Sequence, residues 1–316
     1  MLAKLILLAS SAFGCAPSVA ASEPARFVTL GTMGGPLPHA ARSQPANVLV
    51  SDGNVYVVDA GDGAAGQLAK AGIALGDVDG IFLSHLHADH VSGLGAIIML
   101  RLAGLTTDPI AVYGPPGTRR MVDGIIAAMG PVLETGYGKA NVALPDPKAV
   151  VRVTEIGNGW SAELGGAKIS AVRNTHYGDQ VIAQSLAYRF DVKGGSIVYT
   201  GDTGPSPAVE RLAKGADILF AEMIDVELTL ARIRRLNPSL GGPQQDGIAK
   251  HLAAQHLAPE QVGDLATRAK VSQVVVTHLV PGSTDEDRLA AYVERIKSRF
   301  QGRVQIAKDL DTFEVK

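Results

Sequence analysis

Four side chains able to bind a metal fall within six residues of this sequence. His85, His87, Asp89 and His90 follow an apolar run that ends at Ser84 in GIFLSHLHADHVSG, just before a helix-like segment starting near Gly93. In extended backbone, residues two apart point the same way, so His85 and His87 can share one metal ion. Asp89 and His90 lie at the strand-to-helix turn, where they can address a second ion beside the first. An isolated histidine is usually a surface or satisfied core residue. This chain has eight histidines in all, and three of them sit in this one segment, which reverses that expectation.

Such ligands need a rigid frame. From Phe27 onward, short β-rich runs alternate with Ala- and Leu-rich segments of helical spacing: FVTLG, NVLV and NVYVVDAG, then GQLAKAGIAL, GIFLSH and GLGAIIMLRLAG. A second stretch repeats the rhythm with AKISAVRNTH, QSLAYRFDV, a turn at Lys193-Gly194-Gly195, SIVYTGDTG, a helix from Pro207 to Lys214 and the strand DILFAE. Paired strands followed by strand-helix alternation predict sheets covered by helices, in the α/β or α+β class, with two halves able to pack sheet on sheet. Between Val226 and Gly247 the periodicity weakens and LNPSLGGPQQDG reads as a loop, either an ordinary connection or a lid. A helix is expected from Pro259-Glu260 to about Ala269, ahead of the strand QVVVTH.

The run His85-Leu86-His87-Ala88-Asp89-His90 resembles the signature of the metallo-β-lactamase superfamily, and the other positions of that signature occur in order. His176 ends AKISAVRNTH, Asp202 lies in YTGDTG, and His278 ends QVVVTH. The resemblance implies an αββα fold, two β-sheets flanked by helices, with residues 22–316 forming one domain. It also implies two metal ions, one held by His85, His87 and His176, the other by Asp89, His90 and His278, with Asp202 bridging. Imidazole and carboxylate donors without thiolate suit zinc best, although manganese and iron stay open. His87 stands where the superfamily's oxygen-reducing flavoproteins carry a glutamate, which favours hydrolysis over redox chemistry. Paired divalent ions lower the pKa of a shared water, so the expected nucleophile is a metal-bridging hydroxide. Asp89 would help to orient it, with a helix N-cap as the plainer role.

Two further regions resemble the RNase Z and arylsulfatase-like subgroup. GTMGGPLPHAARSQPANVLV followed by VVDAGDG is similar to its glycine-rich opening and Asp-bearing strand end. By that resemblance Asp59 supports the metal ligands through hydrogen bonds, a simple turn before Gly61 being the alternative. Glu222 in DILFAEM and His256 in HLAAQHLAPEQVGDLA match a Glu and a His that act together near the scissile ester. A carboxylate-oriented imidazolium there can protonate a leaving oxygen or bind an anion. The RNase Z form carries His-Glu-Ala-Thr where Ala221-Glu222-Met223-Ile224 stands, and Leu257 replaces a small or hydroxyl residue, so a purely structural Glu-His hydrogen bond competes with the catalytic role. His39 is read as an exposed loop residue and His251 as solvent-facing. Trp160 and Tyr177 are packing residues or an aromatic wall.

The 316 residues, 46% hydrophobic with a formal net charge of −2, are enough for a substantial core. No run of Lys or Arg exceeds a pair such as Arg119-Arg120, so no nucleic-acid partner is expected. MLAKLILLASSAFG sets one Lys before about ten apolar residues, too short to span a bilayer and suited to a signal peptide over residues 1–21. Cleavage after Ala20 or Ala21 would export the protein to the periplasm or beyond. Cys15, the only cysteine, lies in that leader, and no membrane association is expected unless it is lipidated. A homodimer is left open. The expected substrate is a small molecule: an arylsulfatase-like or phosphodiester compound first, a carboxylic ester or lactone next. Hydrolytic dehalogenation, β-lactam opening and a non-catalytic metal- or ligand-binding module are the alternatives. RNA 3′-end processing ranks below these, because it needs access to tRNA and a long basic arm, whereas Leu186 to Val192 turns at Lys193-Gly194-Gly195 straight into Ser196 to Thr200.

Overall fold

The computed structural model describes residues 23–135, 144–178 and 183–315. The leader at residues 1–21, its cleavage site and Cys15 lie outside the described residues.

Six strands of the first half are β1 (Arg26–Gly31), β2 (Ala46–Ser51), β3 (Asn54–Ala60), β4 (Gly80–Phe82), β5 (Ile110–Gly114) and β6 (Val151–Glu155). The second half supplies β7 (Ser161–Leu164), β8 (Ala167–Arg173), β9 (Leu186–Val192), β10 (Gly195–Tyr199), β11 (Ile218–Ile224), β12 (Gln273–Val280), β13 (Arg303–Ile306) and β14 (Asp311–Glu314). They form two seven-stranded sheets, ordered β14-β1-β2-β3-β4-β5-β6 and β13-β12-β11-β10-β9-β8-β7. Each sheet is antiparallel in one part and parallel in the other, β3 to β6 in the first and β10 to β13 in the second.

Helices cover both outer faces. α1 (Ala64–Lys70), α2 (Ala88–Val91), α3 (Leu94–Ala103), α4 (Thr118–Ala128), α5 (Gly130–Thr135) and α6 (Pro147–Val150) belong to the first half. α7 (Pro207–Leu212), α8 (Val226–Leu236), α9 (Gly242–Gln255), α10 (Pro259–Ala269) and α11 (Glu286–Lys297) belong to the second. The layers follow from the period of two along a strand. On β3, Val55 and Val57 join the core under α1 and α3, while Tyr56 and Val58 face the other sheet. On β11, Ile218 and Phe220 face the first sheet, whereas Leu219, Ala221 and Met223 pack under α7 and α10. Both faces of β11 are therefore buried, which explains why it reads as one continuous apolar run. The inter-sheet layer is aromatic: Phe82 stacks on Tyr113 at 4.8 Å between ring centroids and meets Phe190 at 5.9 Å. Trp160, half-buried, packs against this layer 5.5 Å from Tyr113, and so is a packing residue.

One expectation fails. The stretch from Val226 to Gly247, where the periodicity weakens and Leu236 to Gly247 reads as a loop, folds as α8 and the first six residues of α9, joined through Asn237 to Gly241. The Asp225 side chain caps α8 by accepting from the Leu228 amide at 3.0 Å. α9 buries no residue at all, so its sequence carries no apolar stripe to read.

Candidate metal centre

The chemistry-bearing residues sit where strands end. His85 follows β4 by three residues, His176 follows β8 by three, and Asp202 follows β10 by three. These strand ends open on one rim of the sandwich, the position from which a rigid sheet can hold side chains to a common target. His278 reaches the same place by a bulge. Ala221 pairs with Val276 and Met223 with Leu279, so β12 spends one extra residue there, and His278 takes a left-handed φ of 46°. A bulge redirects the side chains beside it. Gly34 makes the room: a Cβ at that position would lie 2.6 Å from His278 Nδ1 and 2.4 Å from Val280 Cγ2.

All seven expected ligands come together. His85, His87, His176 and Asp202 form one group, and Asp89, His90 and His278 a second, with one donor atom per residue lying within 4.8 Å of the others in its group. Asp202 faces both. Its Oδ2 is 3.8 Å from His85 Nε2 and 3.9 Å from His176 Nε2, while its Oδ1 is 3.3 Å from His90 Nε2 and 3.1 Å from His278 Nε2.

Supporting hydrogen bonds fix which ring nitrogen faces inward. His90 Nδ1 donates to Asp59 Oδ2 at 2.8 Å, and His176 Nδ1 donates to the Gln255 carbonyl at 3.1 Å. Ser84 Oγ donates to Asp59 at 2.8 Å and lies 3.0 Å from His85 Nδ1, so it can accept from that ring. In each case Nε2 keeps its lone pair for the centre. His85 Nε2, His90 Nε2, His278 Nε2 and Asp202 Oδ1 are buried without a hydrogen-bond partner among the described residues. His87 Nδ1 and His176 Nε2 approach to 3.1 Å. Buried polar atoms are normally satisfied, and converging imidazole and carboxylate donors fit a divalent cation.

The electrostatics agree. Burial drives His85 well below its ordinary pKa and His176 down to about 4, keeping both rings in the neutral form that binds metal. At Asp89, burial favours the neutral acid, but the charge of His90 and the close approach of His278, whose Nε2 lies 3.6 Å from Asp89 Oδ2, outweigh it and hold the carboxyl at about 2. At His90 and His278 burial is likewise outweighed by Asp202, which raises both. Both positions thus favour positive charge, which an ion can supply in place of a proton. Asp89 also accepts from the Gly35 amide at 3.1 Å, tying the glycine-rich opening loop to the centre. The N-cap of α2 is His87, not Asp89.

Glu222 and His256 meet beside the centre: His256 Nδ1 donates to Glu222 Oε2 at 2.9 Å, and the Thr203 amide donates to Glu222 Oε1 at 2.8 Å. Burial opposes the charged imidazole, yet the Glu222 charge and hydrogen bond raise it to about 9, while burial raises Glu222. The close ion-pair geometry supports a protonated His256 at neutral pH. His256 lines a cleft of about 420 Å³ together with His87, Asp89, His176, Asp202 and His278.

Other expectations sort clearly. Asp59 is buried and accepts from the Ser84 amide, Ser84 Oγ, His90 and Tyr199, so it is a support rather than a plain turn residue. His251 is exposed but also lines the cleft, with its ring 6.4 Å from those of His176 and His256, which corrects its reading as merely solvent-facing. Tyr177 stands 5.1 Å from the His87 ring and forms an aromatic wall. His39 stays in its loop, its Nδ1 accepting from the Ala41 amide, and does not line the cleft. Sequence reading missed Ser84, Tyr199 and Thr203, and took in Gly34 only as part of the glycine-rich opening. Ser84 and Thr203, next to His85 and Asp202, carried a local signal; Tyr199 carried none.

Comparison with known proteins fits this geometry. Residues 54–279 match the family model described as a β-lactamase superfamily domain. The ribonuclease Z of Mycobacterium marinum is 30% identical over 295 residues, covering 91% of this chain and 98% of that protein. Among solved structures, the metallo-β-lactamase fold protein YhfI from Bacillus subtilis aligns with a TM-score of 0.66 at 18% identity, covering 92% of this chain and 100% of its own. The short form of human tRNase Z aligns with a TM-score of 0.63 at 20% identity, covering 92% and 99%. These two likenesses establish the fold alone. The ribonuclease Z relatives overturn two expectations, a small-molecule ester as substrate and the absence of a nucleic-acid partner. They had rested on net charge, on a missing arm and on the expected leader, and none of these measures the local field of a cleft that gathers divalent ions. The family match over residues 54–279 and the 30% identity over 91% of its length show that the chain belongs to the β-lactamase superfamily and, within it, to the ribonuclease Z family.

Proposed function

We propose that this chain hydrolyses phosphodiester bonds in RNA, with tRNA as the substrate class, as the names of its ribonuclease Z and tRNase Z relatives suggest. The observation that carries the reading is the Glu222-His256 ion pair opening into the cleft that the metal-ligand cluster lines. Two zinc ions, one among His85, His87 and His176, the other among Asp89, His90 and His278, with Asp202 between them, would neutralise the phosphate and activate water near pH 7.

The chain's own groups supply the rest. Glu222 occupies His256 Nδ1, which leaves Nε2 to donate. Thr203 fixes the carboxylate, so the imidazolium keeps one direction. During hydrolysis a water oxygen bonds to phosphorus, the bond from phosphorus to the leaving ribose oxygen breaks, and the proton of His256 Nε2 goes to that oxygen. The water proton is lost to solvent, from which His256 is recharged. A leaving alkoxide is a poor leaving group, and a positioned acid typically contributes about 10²–10⁴ in rate.

A second depression of about 680 Å³, lined by Leu86, Tyr177, Arg119, Arg120, Asp123 and Glu155, balances two cations with two carboxylates. β9 and β10 are joined by the two residues Lys193 and Gly194, so no arm extends from that hairpin and recognition falls to the cleft itself. Export by the leader expected at residues 1–21 would separate the chain from cytoplasmic tRNA, so recovery of the protein outside the cytoplasm on cell fractionation counts against tRNA as its substrate.

The deciding assay incubates the zinc-loaded chain with an end-labelled tRNA bearing a 3′ extension and, separately, with bis(p-nitrophenyl) phosphate. Cleavage of both is expected, abolished by chelation and by His87→Ala. Intact RNA in the presence of metal-loaded protein would overturn the proposal.

A further inference from the structure

The stripe of α8 that would ordinarily seat a helix on a core faces the catalytic cleft instead. Thr229, Arg232, Ile233 and Leu236 are spaced i, i+3, i+4 and i+7, one face of a helix, and all four line the cleft. Only Thr229 of α8 is buried. Leu236 is 51% exposed and Leu37, which also lines the cleft, 49%. Two of the five exposed large hydrophobics among the described residues therefore border this one opening. Large apolar side chains left at the rim of a cleft mark a binding surface.

Arg232 stands within this apolar stripe, half-buried, with no hydrogen bond or ion pair among the described residues. Its neighbour Arg234, on another face of α8, is occupied: its Nε donates to Gln245 Oε1 of α9 at 2.8 Å. The hairpin is also held in place. Asp225, at the start of α8, accepts from Tyr292 at 2.8 Å, and the end of α9 presses on Gly204, where a Cβ would lie 2.0 Å from the Ala254 carbonyl oxygen. The wall is thus anchored two residues from Asp202, and its cation has no partner among the described residues.

We infer that α8 builds a nucleotide subsite: Arg232 binds a phosphate next to the scissile one, and Ile233, Leu236 and Leu37 pack against the flanking nucleobase. The inference rests on the RNA phosphodiesterase reading and adds to it the residues that choose the substrate. A guanidinium suits a phosphate through paired N–H donors, and an apolar wall accepts any base by its flat face. The cleft volume of about 420 Å³ falls within the range of small-ligand sites, enough for one nucleotide. The continuity of this wall with His256 and His87 places the bound nucleotide beside the reacting phosphate rather than at a remote site.

The test compares thymidine 3′-phosphate 5′-(p-nitrophenyl phosphate), which carries a phosphate next to the scissile one, with bis(p-nitrophenyl) phosphate as the ratio of their kcat/KM values. Loss of a charge-assisted hydrogen bond lowers that ratio about tenfold in Arg232→Ala. Arg232→Lys restores part of it, Leu236→Ser lowers it by a smaller factor, and Arg303→Ala on the distant strand β13 leaves it unchanged. An unchanged ratio in Arg232→Ala overturns the subsite. Calorimetric titration with thymidine 3′,5′-bisphosphate gives a second readout that needs no turnover. If the wild type cleaves neither diester, the catalytic reading fails, while weaker nucleotide binding by Arg232→Ala still upholds the subsite and equal binding refutes it.

Discussion

Asp59 Oδ2 lies 2.8 Å from His90 Nδ1 and 2.7 Å from the Tyr199 hydroxyl, so one carboxylate from β3 joins a candidate metal ligand to the neighbouring sheet. Asp59 has a φ of 59° and also receives the Ser84 amide and hydroxyl. Asp59→Asn keeps the shape but places an amide donor among groups that already donate. Supporting residues of this kind typically set about 10–100-fold in metal affinity. Zinc affinity measured by chelator competition should fall by that factor, and stability by about 1–3 kcal/mol. Unchanged affinity would show that Asp59 serves folding alone.

Gly34 and His278 make a second case. Any Cβ at residue 34 meets the His278 ring and Val280. Gly34→Ala should displace His278 more than it disturbs the sandwich. The expected result is a chain with near-normal circular dichroism that holds one zinc ion tightly and the second weakly. Equal retention of both ions would mean that the opening loop moves and the ligand does not.

Asp202 differs from the other ligands because its two oxygens face the two groups. Asp202→Ala should weaken both ions, whereas His87→Ala should affect mainly the one shared with His85 and His176. Metal analysis after dialysis reads the difference. A bound ion stabilises the folded state by mass action. Chelation should therefore lower the melting temperature of the wild type and barely move that of Asp202→Ala.

What was legible in the sequence divides along a physical line. Strands such as β11 were plain because burial on both faces forces a continuous apolar run, and the seven metal-ligand candidates were plain because each follows or ends such a run. Tyr199 could not be read as a partner of Asp59, since 140 residues separate them and only the packing of the two sheets joins them. The α8-α9 hairpin was hidden for the opposite reason. The apolar face of α8 points to a cleft and α9 buries nothing, so the core-seeking period that reveals a helix was diluted. Substrate class was misjudged because composition averages charge over the whole chain, while recognition depends on a few groups such as Arg232.

Arg295 donates to Glu260 through Nε at 2.7 Å and Nη2 at 2.9 Å, tying α11 to α10. This bond holds the Glu260 carboxyl below its ordinary range. A carboxyl with a depressed folded pKa contributes stability above its unfolded pKa, near 4.3, and loses it as pH falls through the folded value. Both side chains are more than a third exposed, so screening limits the contribution to about 0.2–1 kcal/mol. Glu260→Gln should lower stability by that much at pH 7 and by almost nothing at pH 3 or in high salt. Urea titrations at the two pH values check it; an equal deficit at both would assign the effect to packing.

The Glu222-His256 pair gives the sharpest prediction, because the need for a proton donor depends on the leaving group. p-Nitrophenolate departs without protonation, whereas a ribose alkoxide does not. Glu222→Gln removes the charge that keeps His256 protonated but preserves the side-chain size, and His256→Ala removes the donor. Both should lower kcat for RNA by about 10²–10⁴ while lowering kcat for bis(p-nitrophenyl) phosphate far less. A purely structural pair would affect the two substrates equally, through loss of folded protein or displacement of His278, whose Nδ1 lies 4.0 Å from Glu222 Oε2. The pH profile adds a second check. The acidic form of His256 is held up to about 9, so RNA cleavage by the wild type should decline on the alkaline side as that proton is lost. Aryl diester hydrolysis should persist there, and matching declines for both substrates would remove His256 from the role of acid.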